Sequence, residues 1–146
     1  MLLTGTHPRS LDDKKRLVLP KRVRDEVGEE TRKLLVSPGP DQCLWIFRER
    51  ELERLTAKLD QVPATDAEAR VFRRLFFAQM ETVELDKAGR ILIPERLLQM
   101  AGLEHEVVLI GVHDHLELWE GRRWQEYMAQ HGPRFDAVAE AAFRKG

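Results

Sequence analysis

The chain alternates short apolar runs with charged turns, and the runs carry two periods. Leu17-Val18-Leu19, Leu34-Leu35-Val36 and Ile91-Leu92-Ile93 are aliphatic triplets between polar neighbours, the pattern of short buried strands. Cys43-Leu44-Trp45-Ile46-Phe47, Val107-Val108-Leu109-Ile110 and His115-Leu116-Glu117-Leu118-Trp119 predict further strands. Residues 1–10 predict an edge strand entering the first charged turn, and Ser37-Pro38-Gly39-Pro40-Asp41 predicts a turn. Pro20 and Pro94 open short helices at their first position, and Gly28 and Gly102 end them as left-handed caps. Elsewhere the apolar spacing is helical. Leu52, Leu55, Leu59 and Val62 share a face up to Pro63. Thr65-Asp66-Ala67-Glu68 reads as a capping box before Val71, Phe72, Leu75, Phe76 and Met80. A helix around Arg123–Met128, a break at Gly132-Pro133 and an amphipathic helix over 134–144 complete the chain.

The pattern occurs twice. Leu11-Asp12-Asp13-Lys14-Lys15-Arg16 runs through Leu17 to Pro20, and Leu85-Asp86-Lys87-Ala88-Gly89-Arg90 runs through Ile91 to Pro94, 74 residues later. Gly28 and Gly102 keep that offset, as does the strand Val107–Ile110 against its counterpart after Gly28; the strand ending at Trp119 follows at 72. A repeat at this period means two copies of one supersecondary unit. The organisation expected is α+β, a mostly β core with helices, in four segments: repeat 1 over 1–54, a helical connector over 55–82, repeat 2 over 83–130 and a C-terminal helix over 131–146. The connector is expected to pack on the body, although its apolar stripe also suits a contact between subunits.

In each copy an Asp and an Arg four residues apart flank the turn. Asp readily hydrogen-bonds the backbone that follows it, and Gly89 suits a turn residue at positive φ; Lys15 fills that place less comfortably. Two readings stand side by side. The pair closes the loop as a salt bridge, or the turn projects Lys14, Lys15 and Arg16, with Lys87 and Arg90, toward phosphates or base edges.

Charge sharpens the second reading. The 146 residues carry a net charge of only −1. Residues 9–24 hold seven Lys or Arg against Asp12 and Asp13, a local net of +5, whereas residues 84–96 balance to zero. The first repeat is a basic pole on an otherwise acidic chain. No apolar run approaches the ~18 residues of a membrane span, and the N-terminus does not resemble a secretion signal. The single Cys43 cannot form an internal disulfide and fits a reducing compartment. His113-Asp114-His115 lies where turn residues belong and lacks a third metal ligand at a known spacing. Ser10 and Ser37 sit in no nucleophile motif, no glycine-rich phosphate loop is present, and Trp45, Trp119 and Trp124 read as core. The expectation is a non-enzyme without metal or cofactor.

The doubled Asp-x-x-x-Arg unit resembles the MraZ family, of the AbrB/SpoVT-like swapped-hairpin superfamily. Leu11–Leu17 with Pro20 is similar to its first signature. Leu75-Phe76-Phe77 with Glu84–Pro94 is similar to its second. Ala101-Gly102-Leu103, Val107–Val112, Leu116–Trp119 and Arg123-Trp124 also fit, so the likeness covers about residues 1–130. Lys15 stands where the family usually has Gly, and the opening Leu2–Pro8 departs from the usual one. The resemblance implies two pseudo-symmetric repeats forming an intertwined β-barrel. It implies a cytoplasmic, nucleoid-associated regulator that binds double-stranded DNA at direct repeats before the cell-division and cell-wall gene cluster, as a ring-shaped homo-oligomer. It implies DNA contacts by Lys14, Lys15, Arg16, Lys87 and Arg90, with Asp12 and Asp86 bracing the turns. The alternative is an antitoxin-like protein-interaction module on the same fold, with the C-terminal helix as its docking segment.

Overall fold

The computed structural model describes residues 1–146. Each repeat contributes four strands and three helices in the same order. The first holds β1 (Thr6–Ser10), β2 (Arg16–Val18), α1 (Lys21–Val27), β3 (Lys33–Gly39), β4 (Cys43–Phe47), α2 (Leu52–Asp60) and α3 (Ala67–Gln79). The second holds β5 (Glu81–Glu84), β6 (Arg90–Leu92), α4 (Glu95–Ala101), β7 (Glu106–Gly111), β8 (Leu116–Glu120), α5 (Gly121–His131) and α6 (Phe135–Lys145).

The repeats trade strands. The antiparallel sheet runs β1-β7-β8-β4-β3-β5, so the first strand of each repeat pairs with the other repeat. A separate two-stranded ribbon joins β2 to β6. In the ribbon Leu17 faces Ile91, its own counterpart, and in the sheet Trp45 likewise faces Glu117. A local twofold axis therefore passes through both pairs. The expected barrel is not closed: β1 and β5 remain edges, and the ribbon lies apart from the sheet.

Packing explains the two layers. Leu17, Leu19, Ile91 and Ile93 join Val23, Leu97 and the inward residues of the sheet in one cluster of 21 buried side chains. On the sheet's other face, Cys43, Val108, Ile110 and Trp119 are covered by Trp124 and Tyr127 of α5. Phe76 of α3 meets Trp45 edge-on at 6.1 Å.

Several expectations need correction. Ser37–Gly39 belong to β3, and the reversal is Pro40-Asp41-Gln42, with Asp41 and Gln42 at φ 67° and 60°. Pro38 is tolerated because β5 pairs only with Lys33–Val36, so its missing N–H faces no second ladder. The offset between β3 and β7 is 73, since Ser10↔Glu106 mirrors Glu84↔Lys33. Pro20 and Pro94 precede their helices as N-caps. Gly102 is left-handed (φ 64°, ψ 29°), but Gly28 (φ 102°, ψ 141°) leaves α1 extended, and Thr31 Oγ1 donates to Val27 O at 2.6 Å instead. Asp66, one residue past Thr65, caps α3 by accepting from Ala69 N at 2.9 Å. Trp45 and Trp124 are only half-buried.

Candidate nucleic-acid interface

Each charged turn is built around one carboxylate. Asp12 Oδ1 accepts from Lys14 N and Arg16 N, both at 2.9 Å, and its Oδ2 accepts from Arg16 Nε at 2.7 Å. Asp86 repeats the set: Ala88 N and Arg90 N donate to Oδ1 at 2.9 Å, and Arg90 Nε donates to Oδ2 at 2.8 Å. Lys15 N and Gly89 N close the turns by donating to Asp12 O and Asp86 O. Both carboxyls lie below the usual aspartate range, chiefly through the backbone N–H of the Arg, while partial desolvation pulls the other way.

The turns are also locked to each other. Leu19 N donates to Gly89 O at 2.9 Å, and Ile93 N donates to Lys15 O at 3.1 Å. Each tip thus finishes the ribbon strand of the other repeat. Lys15 holds φ 65° and Gly89 φ 76°. A Cβ on Gly89 would sit 2.8 Å from Arg24 Cδ, and Arg24 Nε donates to Leu19 O at 3.2 Å. Arg24 thereby struts the second turn against α1. Its counterpart in the second repeat, Leu98, is buried in the core.

Strand alternation sets where the arginines point. Leu17 and Ile91 face the core at 0% exposure, so Arg16, Val18, Arg90 and Leu92 share the outward face. Val18 and Leu92 are 44% and 55% exposed there. Arg16 faces Leu92 and Arg90 faces Val18, which makes the arginines diagonal neighbours on that face. Each guanidinium spends Nε on its Asp, and neither has a protein hydrogen bond to its terminal nitrogens. Lys14, Lys15 and Lys87 are exposed on the tips. Beside the second tip lies a groove of about 640 Å³ of mixed charge, lined by Lys21, Arg24, Arg32 and Lys87 together with Asp25, Glu29 and Asp86. Lys21, Arg24 and Arg32 lay outside the sequence-predicted set. The +5 run contained the first two, but only the fold brings them to the second turn.

Other candidate groups go elsewhere. Burial, with Glu117 and Asp41 nearby, pushes the Cys43 thiol far up. Ser37 is buried with its hydroxyl on Pro38 O at 3.2 Å. His115 is buried between Asp114 Oδ1 at 2.8 Å and Glu117 Oε2 at 3.1 Å.

A family model described as "MraZ protein, putative antitoxin-like" matches the chain twice, over residues 2–75 and 76–145. The chain belongs to the MraZ family. It is 39% identical over 136 residues to the "Transcriptional regulator MraZ" of Acetivibrio thermocellus, covering 93% of each chain. It is 38% identical to the protein of that name from Heliobacterium modesticaldum, covering 95% of each, and 38% to that of Kineococcus radiotolerans, covering 92% of each. The two MraZ matches together take in both charged turns. No helix is long and apolar enough to cross a membrane.

Proposed function

We propose that the chain is a DNA-binding transcriptional regulator that grips a duplex with the outward face of the β2–β6 ribbon. The observation that carries this is the pair of half-exposed arginines on one face, each held by its Asp with the fork end free. A preorganised guanidinium loses little freedom when it meets a guanine edge, and each such bidentate contact is worth about 1–3 kcal/mol. Arg16 and Arg90 read base edges in this account. Lys14, Lys15 and Lys87 hold phosphates, and Asp12 and Asp86 brace the tips. The names of the relatives support the regulator class.

The finer reading is avidity. One subunit offers few contacts and binds weakly, with strong salt dependence. A ring of subunits presents several ribbons to spaced direct repeats, such as those expected before the cell-division and cell-wall genes, and linked weak contacts multiply. In this reading the protein works in the cytoplasm, on the nucleoid. The test is anisotropy titration of a promoter fragment bearing the repeats. Arg16→Ala with Arg90→Ala is expected to weaken binding at least about 30-fold while the circular dichroism stays unchanged. Unchanged affinity overturns the assignment.

A further inference from the structure

The two tips differ in the charge they carry themselves. The first presents Lys14, Lys15 and Arg16; the second has Ala88 and Gly89 in place of the two lysines and keeps Lys87 and Arg90. The fold brings a cation to the second tip from the first repeat. Arg24 of α1 lies along Gly89, where a Cβ would meet its Cδ at 2.8 Å, its Nε at 2.9 Å and its Cζ at 3.0 Å. Gly89 is buried beneath it, while Lys15, at the same place in the first turn, is exposed. Leu98, which takes the place of Arg24 on α4, is buried in the core. Lysine on the turn thus goes with leucine on the helix, and glycine on the turn goes with arginine.

Arg24 is fixed at one end and open at the other. Its Nε donates to Leu19 O at 3.2 Å, and Leu19 N donates to Gly89 O at 2.9 Å. Its terminal nitrogens meet no carboxylate or carbonyl of the protein. The other charges of the groove are largely occupied. Asp25 holds Lys21 at 2.9 Å, Asp86 holds Arg90 at 2.8 Å, and Arg32 donates to the carbonyls of Glu29 and Thr31. The Glu29 carboxylate has no ion pair, but it is exposed, where water and salt screen it. A phosphate oxygen is the acceptor that the free fork of Arg24 suits.

We propose that Arg24 is a DNA-phosphate contact of the second tip, supplied by the first repeat. Its terminal nitrogens hold the backbone of the duplex that Arg16 and Arg90 engage, and its Nε positions the second turn through Leu19. Each tip then works with three cations: Lys14, Lys15 and Arg16 on one, Lys87, Arg90 and Arg24 on the other. The inference rests on the ribbon as the DNA-binding face and adds to it a residue outside the ribbon and its turns.

The test is an anisotropy titration of the full-length chain over a range of salt, on the promoter fragment and on a scrambled duplex of equal length. Arg24→Gln removes the charge, and Arg24→Lys keeps it. Arg24→Gln is expected to weaken binding roughly fivefold at physiological salt and to lower the slope of log K against log salt by about one. The loss is expected to be equal on both duplexes, because a phosphate carries no sequence information. Arg24→Lys is expected to keep the wild-type slope. A wild-type slope in Arg24→Gln overturns the contact, and so does a slope lowered equally by Arg24→Lys, since charge is then not what acts. If Arg16→Ala with Arg90→Ala abolishes promoter binding while Arg24→Gln changes nothing, the Arg24 contact falls alone. If that arginine pair leaves affinity unchanged, the ribbon reading falls with it.

Discussion

Asp12 and Asp86 each accept three hydrogen bonds from the residues of their own turn. Their lowered proton affinity is a stability statement: the contribution is fully present above the ordinary aspartate value of 3.8 and lost as pH falls through the folded value. His115 behaves in the opposite sense. Burial pulls its affinity for a proton down, but the hydrogen bonds to Glu117 and Asp114 prevail and raise it above 6.5. Its contribution is therefore present below 6.5 and lost as pH rises through the folded value. Thermal melts are expected to peak between about pH 4 and 6.5. Asp12→Asn with Asp86→Asn should flatten the acid limb, and His115→Gln the alkaline one; an unchanged profile contradicts the assignment. Lys15 offers a second test. At φ 65° a lysine pays roughly 1–2 kcal/mol that glycine avoids. Lys15→Gly should raise stability by up to about that amount in urea melts while weakening DNA binding, with the salt slope reduced by about one. A gain in both contradicts the phosphate role.

The ribbon converts these residues into a surface. Its three-residue strands hold together because Leu17 and Ile91 meet on the twofold axis and are fully buried beneath it. Leu17→Ala or Ile91→Ala is expected to cost about 2–5 kcal/mol in denaturant unfolding, far more than any change on the outward face. A cost below about 1 kcal/mol would mean the ribbon is held by its turns instead. Most of this element could be read from the chain. The doubled Asp-x-x-x-Arg and the triplets gave the turns, the strands and the helix starts, because local chemistry fixes them. The pairing could not be read. A triplet flanked by polar residues does not say whether its partner is five or 74 residues away, so the open sheet in place of a barrel came only from the register. Ser37–Gly39 misled for a related reason. Proline and glycine signal turns unless, as here, the neighbouring strand has already ended. Arg24 was hidden because its partner, Gly89, lies in the other repeat.

The assembled chain has a division of faces. The ribbon side carries the arginines, and the opposite side of the sheet carries α3 and α5. The proposed DNA-binding face is thus distinct from the face that α3 and α5 cover. The most direct measurement is site-specific photocrosslinking of the full-length protein on a promoter fragment. A benzophenone side chain is placed at Val18 or Leu92, between the two arginines, and in control chains at Met128 on α5. Crosslinks to DNA from Val18 and Leu92, lost on adding salt and absent from Met128, are the predicted result. Crosslinks from Met128 with none from the ribbon would contradict the account.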